Sequence, residues 1–231
     1  MREPASRTES FEVDGLRVML DPSFPSPAPR WGYSPEIFLG RNLQVRPRER
    51  LLSFAAGSGL VGLYAARSGA TVSLLDPEAS SLNSIRRSFL MGGLGEPKLE
   101  LEENSSVFEP GSFDLIVWAP PFIQGQGQAS RERRFLYSSA DSLKEVLATL
   151  PPLLDRGGRI LIPYPEWDAS TLGPALLTEL GLRFGVLRRE QFRVTGPVRL
   201  YCAWLPRRGE QAGEVEPGKA LPGAAWVLRD R

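Results

Sequence analysis

The residues best suited to chemistry lie in one stretch of this chain, LLSFAAGSGLVGLYAARSGATVSLLD at positions 51–76. It places Gly57, Gly59 and Gly62 in the G-x-G-x-x-G spacing, between an apolar run and a helical pattern, and it ends in Asp76. Glycines in this spacing permit a tight turn, close approach of a ligand to the backbone, and close packing of a helix on a sheet. A carboxylate at the end of the following strand can accept hydrogen bonds from both hydroxyls of a ribose. The stretch predicts a nucleoside-binding half-site, with a glycine-rich packing turn as the plainer alternative.

The elements that must position this motif alternate between strand and helix patterns. Helices are predicted over four further stretches, namely Ser34 to about Val45, Asp76-Pro77 to about Met91, Ser138 or Ser139 to about Leu154, and Thr171 to Leu180. Strands are predicted over Lys98–Glu102, Phe113–Trp118, Arg159–Pro163, Arg183–Arg189 and Arg199–Leu205, and a hairpin over Phe11–Leu20 around Asp14-Gly15. Such alternation favours an α/β, Rossmann-like, doubly wound fold with a seven-stranded, mostly parallel sheet, an antiparallel edge strand and a small N-terminal hairpin extension.

Composition divides the chain into three segments. Residues 1–32 form an N-terminal extension with a proline-rich strap, residues 33–205 the main domain, and residues 206–231 a tail rich in glycine, proline and charge. A domain of the size of the middle segment can bury a sizeable core.

The content of reactive side chains narrows the chemistry. The chain has no histidine, which excludes Ser-His-Asp and Cys-His catalysis and histidine metal sites, and its one cysteine excludes a disulfide framework. The formal net charge of +1 means that the overall charge gives no indication of a highly charged partner such as a nucleic acid. The N-terminus lacks the apolar core of a signal peptide and no apolar run reaches the length of a membrane span, so we expect a cytoplasmic protein without a metal site. Methyl transfer from a sulfonium fits this inventory, because the donor carries the activation and the protein mainly positions the reactants.

A second motif carries a resemblance to a known family. About 40 residues beyond Asp76 the chain reads FDLIVWAPPF, residues 113–122. With the glycine motif, this resembles class I S-adenosylmethionine-dependent methyltransferases, specifically the small-domain group that includes release-factor glutamine methyltransferases and rRNA and tRNA base methyltransferases. The resemblance extends from about Tyr33 to Leu205. It implies S-adenosyl-L-methionine as cofactor, with contacts from Tyr33, Ala55, Gly57, Gly59, Asp76, Pro77 and Ser106.

The resemblance also implies where the methyl acceptor binds. The residues that match the family's catalytic stretch are Ala119, Pro120, Pro121 and Phe122. In the family a side-chain amide or carboxylate stands at the first of these positions, whereas here the Ala119 carbonyl and the Phe122 ring remain. Other departures are Ser53 for an acid, Ala55 for a glycine and Ser106 for an aspartate. Three functions stay open: a methyltransferase with a different acceptor, a macromolecular N-methyltransferase, and a catalytically silent cofactor-binding module. A nicotinamide-dependent enzyme is a fourth.

The acceptor is predicted from weaker signals. Seven arginines lie between Arg183 and Arg208 against Glu190 alone, a pattern that could meet RNA phosphates, but strand residues alternate between faces. With no side-chain amide at position 119, a small molecule or peptide is favoured over RNA as acceptor. It is expected to enter between residues 31–36 and the 123–137 loop, which is predicted to act as a mobile lid.

Remaining candidates receive structural interpretations. The acids Glu36, Glu166 and Asp168 lie near predicted strand ends, where they could accept protons, although cap or surface roles are more usual. Trp118 and Cys202 are predicted to be core residues.

Overall fold

The computed structural model describes residues 9–20, 34–101, 105–120, 140–166, 173–193 and 196–215. Its strands are β1 (Glu9–Val13), β2 (Leu16–Leu20), β3 (Arg50–Phe54), β4 (Thr71–Asp76), β5 (Lys98–Leu101), β6 (Phe113–Trp118), β7 (Leu154–Pro165), β8 (Arg183–Phe192), β9 (Gly196–Trp204) and β10 (Gly213–Glu214). Its helices are α1 (Pro35–Arg41), α2 (Leu60–Arg67), α3 (Ala79–Met91), α4 (Ala140–Thr149) and α5 (Pro174–Glu179).

The main sheet has the order β10-β8-β9-β7-β6-β3-β4-β5. Strands β3 to β7 pair in parallel, whereas β9 is antiparallel to both β7 and β8. The predicted Rossmann-like, mostly parallel sheet with an antiparallel edge is therefore confirmed. The short strand β10 adds an eighth member to the predicted seven, and it lies beyond residue 205, where the tail was expected to begin.

Both faces of the sheet are covered, as its continuous apolar strands require. Helices α1, α2 and α3 pack on one face together with the β1–β2 hairpin, and α4 and α5 pack on the other. The hairpin turns at Asp14-Gly15, as predicted, with φ angles of 50° and 75°. The Asp14 carboxylate holds this hairpin to the domain, because it accepts hydrogen bonds from Arg41 at 2.9 and 3.0 Å and from the Tyr64 hydroxyl.

Several predicted boundaries were wrong for local reasons. Helix α1 ends at Arg41, short of Val45, with Asn42 as its C-cap. Helix α4 ends at Thr149, short of Leu154, because prolines 151 and 152 lack the N–H groups that would continue it. Strand β7 then begins at Leu154.

The arrangement of strands creates a crevice. Because β3, the first strand of the sheet in the chain, lies between β4 and β6, the chain moves outward in opposite directions on its two sides. Ligands in open α/β sheets bind at such a switch point, beyond the carboxyl ends of the strands. In the part of the chain that the structure describes, no helix has the length and apolar character needed to cross a membrane.

Candidate active site

The two predicted motifs meet at this crevice. Phe54 at the end of β3 pairs with Trp118 at the end of β6, so Ala55 and Ala119 follow adjacent strand ends. Trp118 is buried, with its ring edge-to-face against Phe54 at 6.0 Å, which confirms the predicted core role. The neighbouring strand β4 ends in Asp76 on the other side of β3.

The glycine motif forms the turn between β3 and α2. Gly57 and Gly59 have φ angles of 57° and 76°, in the left-handed region that favours glycine. A Cβ at position 62 would lie 2.8 Å from Leu74 of β4, which confirms that Gly62 permits close helix–sheet packing. A Cβ at Gly59 would lie 2.6 Å from Ile85 of α3. Packing against α3, together with the left-handed φ angle, therefore gives a structural reason for glycine at position 59, and the close approach of a ligand there stays a prediction.

Asp76 is the acid predicted to bind a ribose, and in the structure it also organises the turn. Its residue is 1% exposed, and its carboxylate accepts hydrogen bonds from Gly57 N at 2.8 Å and Glu78 N at 3.0 Å, on either side of the predicted contact residue Pro77. Burial raises the pKa of Asp76 to about 6, although these backbone donors oppose the shift. Each carboxylate oxygen can accept more than one hydrogen bond, so these contacts leave the predicted ribose role available.

A second carboxylate, Glu36, reaches the same turn from α1. It accepts hydrogen bonds from the Ser58 hydroxyl at 2.7 Å and from Ser58 N at 3.3 Å. Burial raises the pKa of Glu36 to about 7, and the nearby negative charge of Asp76 adds to the increase. The N-cap Ser34, whose hydroxyl accepts from Ile37 N, fixes the start of α1 and hence the position of Glu36. Sequence reasoning treated Glu36 as a cap or surface group, since nothing in its local pattern signals a contact 22 residues away.

The hydrogen bonds of the glycine turn constrain what can bind there. Gly57 N donates to Asp76 and Ser58 N to Glu36, while Gly59 N donates to the Ala56 carbonyl at 2.8 Å and Leu60 N to the Ser58 hydroxyl at 3.3 Å. A dinucleotide's pyrophosphate requires such N–H groups at a helix N-terminus. Here two carboxylates occupy that position, so the turn disfavours a nicotinamide cofactor and suits a ligand whose groups at this point are neutral or cationic.

Ala55 is strained where the resemblance implies glycine. Its φ angle is 47°, a conformation that costs a residue with a Cβ roughly 1–2 kcal/mol. The half-buried Ala55 side chain packs against the core on the α4 and α5 face. The strand-to-turn geometry of the motif is therefore retained despite the substitution.

The remaining predicted site residues divide into described and undescribed positions. Ala119 is half-buried and Pro120 is buried at the carboxyl edge. Ser106 is exposed in a single 3-10 turn, Ser105–Val107, between β5 and β6. Outside the described residues lie Tyr33, Pro121, Phe122, Asp168, the predicted lid 123–137 and most of the strap.

Two other titratable side chains, Glu166 and Cys202, are unsuited to proton transfer near neutral pH. Hydrogen bonds from Arg189 and Arg199 lower the pKa of Glu166 to about 2, so this carboxylate is a poor base near neutral pH. Cys202 is fully buried, and burial raises the pKa of its thiol to about 12, which confirms its predicted core role.

Comparison with known proteins agrees with this geometry. Residues 36–146 match the family model "Methyltransferase small domain". The chain is 29% identical over 152 residues to the ribosomal RNA small subunit methyltransferase C of Chromohalobacter salexigens, a match that covers 63% of this chain. It covers 42% of the relative, so the chain spans less than half the length of this curated protein.

Solved structures share the fold. The 16S rRNA N2 methyltransferase of T. thermophilus, solved with AdoMet and guanosine, has a TM-score of 0.54 and 22% identity, covering 94% of this chain and 47% of that one. A methyltransferase from Pyrococcus furiosus has a TM-score of 0.57 and 18% identity, covering 84% and 91% of the two chains.

Proposed function

We propose that this chain, whose residues 36–146 match the methyltransferase small domain, is an S-adenosylmethionine-dependent methyltransferase that methylates a base in ribosomal RNA. The observation that carries the proposal is the crevice between the glycine turn and Ala119-Pro120, at the reversal of strand order, in a chain whose curated relative is named for ribosomal RNA. This replaces the sequence-based preference for a small or peptide-like acceptor. That preference depended on the missing side chain at position 119, and the relative and the T. thermophilus neighbour point toward RNA instead.

The donor side of the crevice is supplied by the turn after β3 and by the end of β4. The residues proposed to hold the cofactor are Tyr33, Ala55, Gly57, Gly59, Asp76, Pro77 and Ser106. The cofactor supplies an activated methyl group on a cationic sulfonium. The carboxylates of Asp76 and Glu36 give this side of the crevice a negative field at pH values above their pKa, which suits a cationic ligand and opposes a phosphate.

The acceptor side depends on the backbone after β6. The proposed residues are Ala119, Pro120, Pro121 and Phe122, of which the first two follow directly after the end of β6. Ala119 offers its carbonyl oxygen as hydrogen-bond acceptor, and the two prolines restrict the backbone that presents it. Loss of one preorganised polar partner costs on the order of 3 kcal/mol of transition-state stabilisation, so we expect slow transfer compared with relatives that keep the side chain.

Methyl transfer to defined acceptors tests the proposal. Purified protein is incubated with radiolabelled S-adenosylmethionine and, separately, 16S rRNA, a glutamine-containing peptide and a mixture of small amines, and RNA products are digested and identified by mass spectrometry. A methylated nucleoside in the RNA alone supports the proposal. Methylation confined to the peptide or the amines contradicts it, and so does cofactor binding without transfer to any acceptor, which indicates a silent module.

A second experiment tests the acceptor site by restoring at position 119 the amide side chain that the family has there. Ala119→Asn should raise the rate of RNA methylation if the reaction uses the ordinary base-amine chemistry, because the amide oxygen can accept from the target amine. Ala148→Asn on the exposed face of α4 is the matched control, since it makes the same change far from the crevice. A lower rate in Ala119→Asn alone would show a pocket rebuilt around another nucleophile.

A further inference from the structure

The hairpin of β8 and β9 reaches the same edge of the sheet as the crevice. Strand β9 is antiparallel to β7, and β8 is antiparallel to β9, so β8 has the direction of the parallel strands. Phe192 at the end of β8 therefore lies at the carboxyl edge, as do Phe54 and Trp118. The opposite ends of this hairpin, Arg183 and Trp204, pair at the amino edge.

Two sets of contacts fix the position of the hairpin, one to the end of β7 and one to α1. Glu166, which follows β7, accepts hydrogen bonds from Arg189 at 2.5 Å and from Arg199 at 2.8 Å, and so ties both strands to the end of β7. Phe192 packs edge-to-face on Phe38 of α1, with ring centroids 5.6 Å apart. The tip of the hairpin is therefore held against the helix that carries Glu36 to the glycine turn.

The arginines of this region have different surroundings. Arg183 pairs with Glu210, Arg189 and Arg199 pair with Glu166, and residues 207–208 follow β9 at the amino edge. Arg188 and Arg193 are exposed and, among the residues that the structure describes, form no ion pair.

The strand register places Arg188 near the docked tip. Arg188 lies opposite Leu200 and Phe192 opposite Gly196, so the two share the sheet face that α1 covers. Arg193 follows directly in the turn. Glu190 shares the face of Arg188 and offsets part of its charge, which leaves the excess of positive charge at the tip.

We propose that Arg188 and Arg193 bind phosphates of the RNA strand that carries the target base. The inference rests on the proposed function, and it assigns the positioning of RNA to the hairpin and not to the whole arginine-rich stretch. Two exposed guanidinium groups at the carboxyl edge of the sheet, without an ion pair among the described residues, suit the sequence-independent contacts that fix a nucleic acid's register. The arginines bound to Glu166 and Glu210 serve the fold, because Glu210 compensates the charge of Arg183 and Glu166 is shared by Arg189 and Arg199.

The test is the salt dependence of RNA binding in matched double variants. Arg188→Ala/Arg193→Ala is compared with Arg207→Ala/Arg208→Ala, which removes the same charge at the amino edge. Binding of a fluorescent 16S rRNA fragment is measured between 50 and 200 mM salt, with S-adenosylhomocysteine affinity and thermal unfolding measured in parallel. Loss of two phosphate contacts should reduce the slope of log K against log salt by about 1.4 to 1.8. At the upper value, the ratio of wild-type to variant affinity changes about twelvefold over this salt range.

The possible results distinguish the proposed role of the hairpin arginines from the proposed methylation of RNA. The inference is supported if only the hairpin variant has a reduced salt slope while its affinity for S-adenosylhomocysteine is unchanged. In Arg188→Lys/Arg193→Lys, which keeps both charges, the salt slope should recover at least in part. Equal slopes in the two double variants, with wild-type protein that binds and methylates the RNA, overturn the hairpin assignment and leave the function intact. Wild-type protein that neither binds nor methylates the RNA overturns both.

Discussion

The burial of Glu36 against the glycine turn predicts a pH-dependent contribution to stability that a single substitution should remove. The folded protein raises the pKa of Glu36 from 4.5 to about 7, chiefly through burial. The protonated form is therefore favoured by folding. Its stabilising contribution is complete below pH 4.5 and is lost as pH rises through 7, because the folded state must then hold a negative charge that is partly buried. Glu36→Gln keeps an oxygen acceptor for Ser58 but cannot ionise.

The magnitude follows from the shift itself. A difference of about 2.5 pKa units corresponds to about 3 kcal/mol between the two protonation states. Relative to wild type, Glu36→Gln should therefore gain about 3 kcal/mol in free energy of unfolding between pH 4.5 and pH 8. Asp76 has a pKa raised in the same direction and is present in both proteins, so its contribution cancels from the comparison except for its charge interaction with Glu36, the smallest of the named causes of the Glu36 shift.

Urea unfolding, monitored by tryptophan fluorescence at pH 4.5 and pH 8, measures the effect. Glu145→Gln, an exposed position on α4, is the control for removing one negative charge at the surface. A pH-dependent difference below about 1 kcal/mol in Glu36→Gln, or an equal difference in the control, would refute the burial of Glu36 against the glycine turn.

The effects of three further substitutions can be predicted from contacts in the structure. Asp76→Asn should weaken S-adenosylhomocysteine binding by about 1.5–3 kcal/mol in calorimetry, and unchanged affinity would refute the ribose assignment. Gly40→Ala should lower the free energy of urea unfolding by about 1–3 kcal/mol, because the added Cβ overlaps the buried Tyr64 ring between α1 and α2; wild-type stability would contradict this packing. Glu49→Gln should cost about 3–5 kcal/mol in thermal unfolding, because it leaves Arg159 buried without its carboxylate partner at 2.5 Å, and a loss typical of a surface pair would contradict that.

The sequence was sufficient for the fold wherever periodicity and turn residues agreed. The Asp14-Gly15 hairpin, strand β6 and the glycine turn after β3 all formed where they were predicted, because each combines a period with a residue that fixes a turn. The predicted ends of helices were wrong where tertiary contacts or prolines determine them, as at the end of α4. The short strand β10 could not be read from two residues without their partner β8.

The turn that forms the candidate site was predictable from the sequence, but its side-chain contacts were not. The spacing of Gly57, Gly59 and Asp76 predicted the turn between β3 and α2 and the end of β4, whereas the close contact of Gly59 with Ile85 arises only after α3 docks. Glu36 was underestimated for the same kind of reason, since its partner Ser58 lies across the fold. Local patterns specify backbone geometry, but the pairing of side chains from distant elements requires the assembled structure.

The departures from the family pattern differ in what they change. At position 55 the backbone keeps its left-handed turn at an energetic cost, and Asp76 still holds that turn through Gly57 N. At Ala119 the strand end stays in place and only a side-chain acceptor is lost. Under the proposed function, the backbone of the donor site would keep its geometry while a polar contact to the acceptor is lost, as expected if positioning of a large acceptor by distant contacts compensates for a weaker local one. An RNA held at several phosphates can supply such binding energy, whereas a small molecule confined to the crevice cannot.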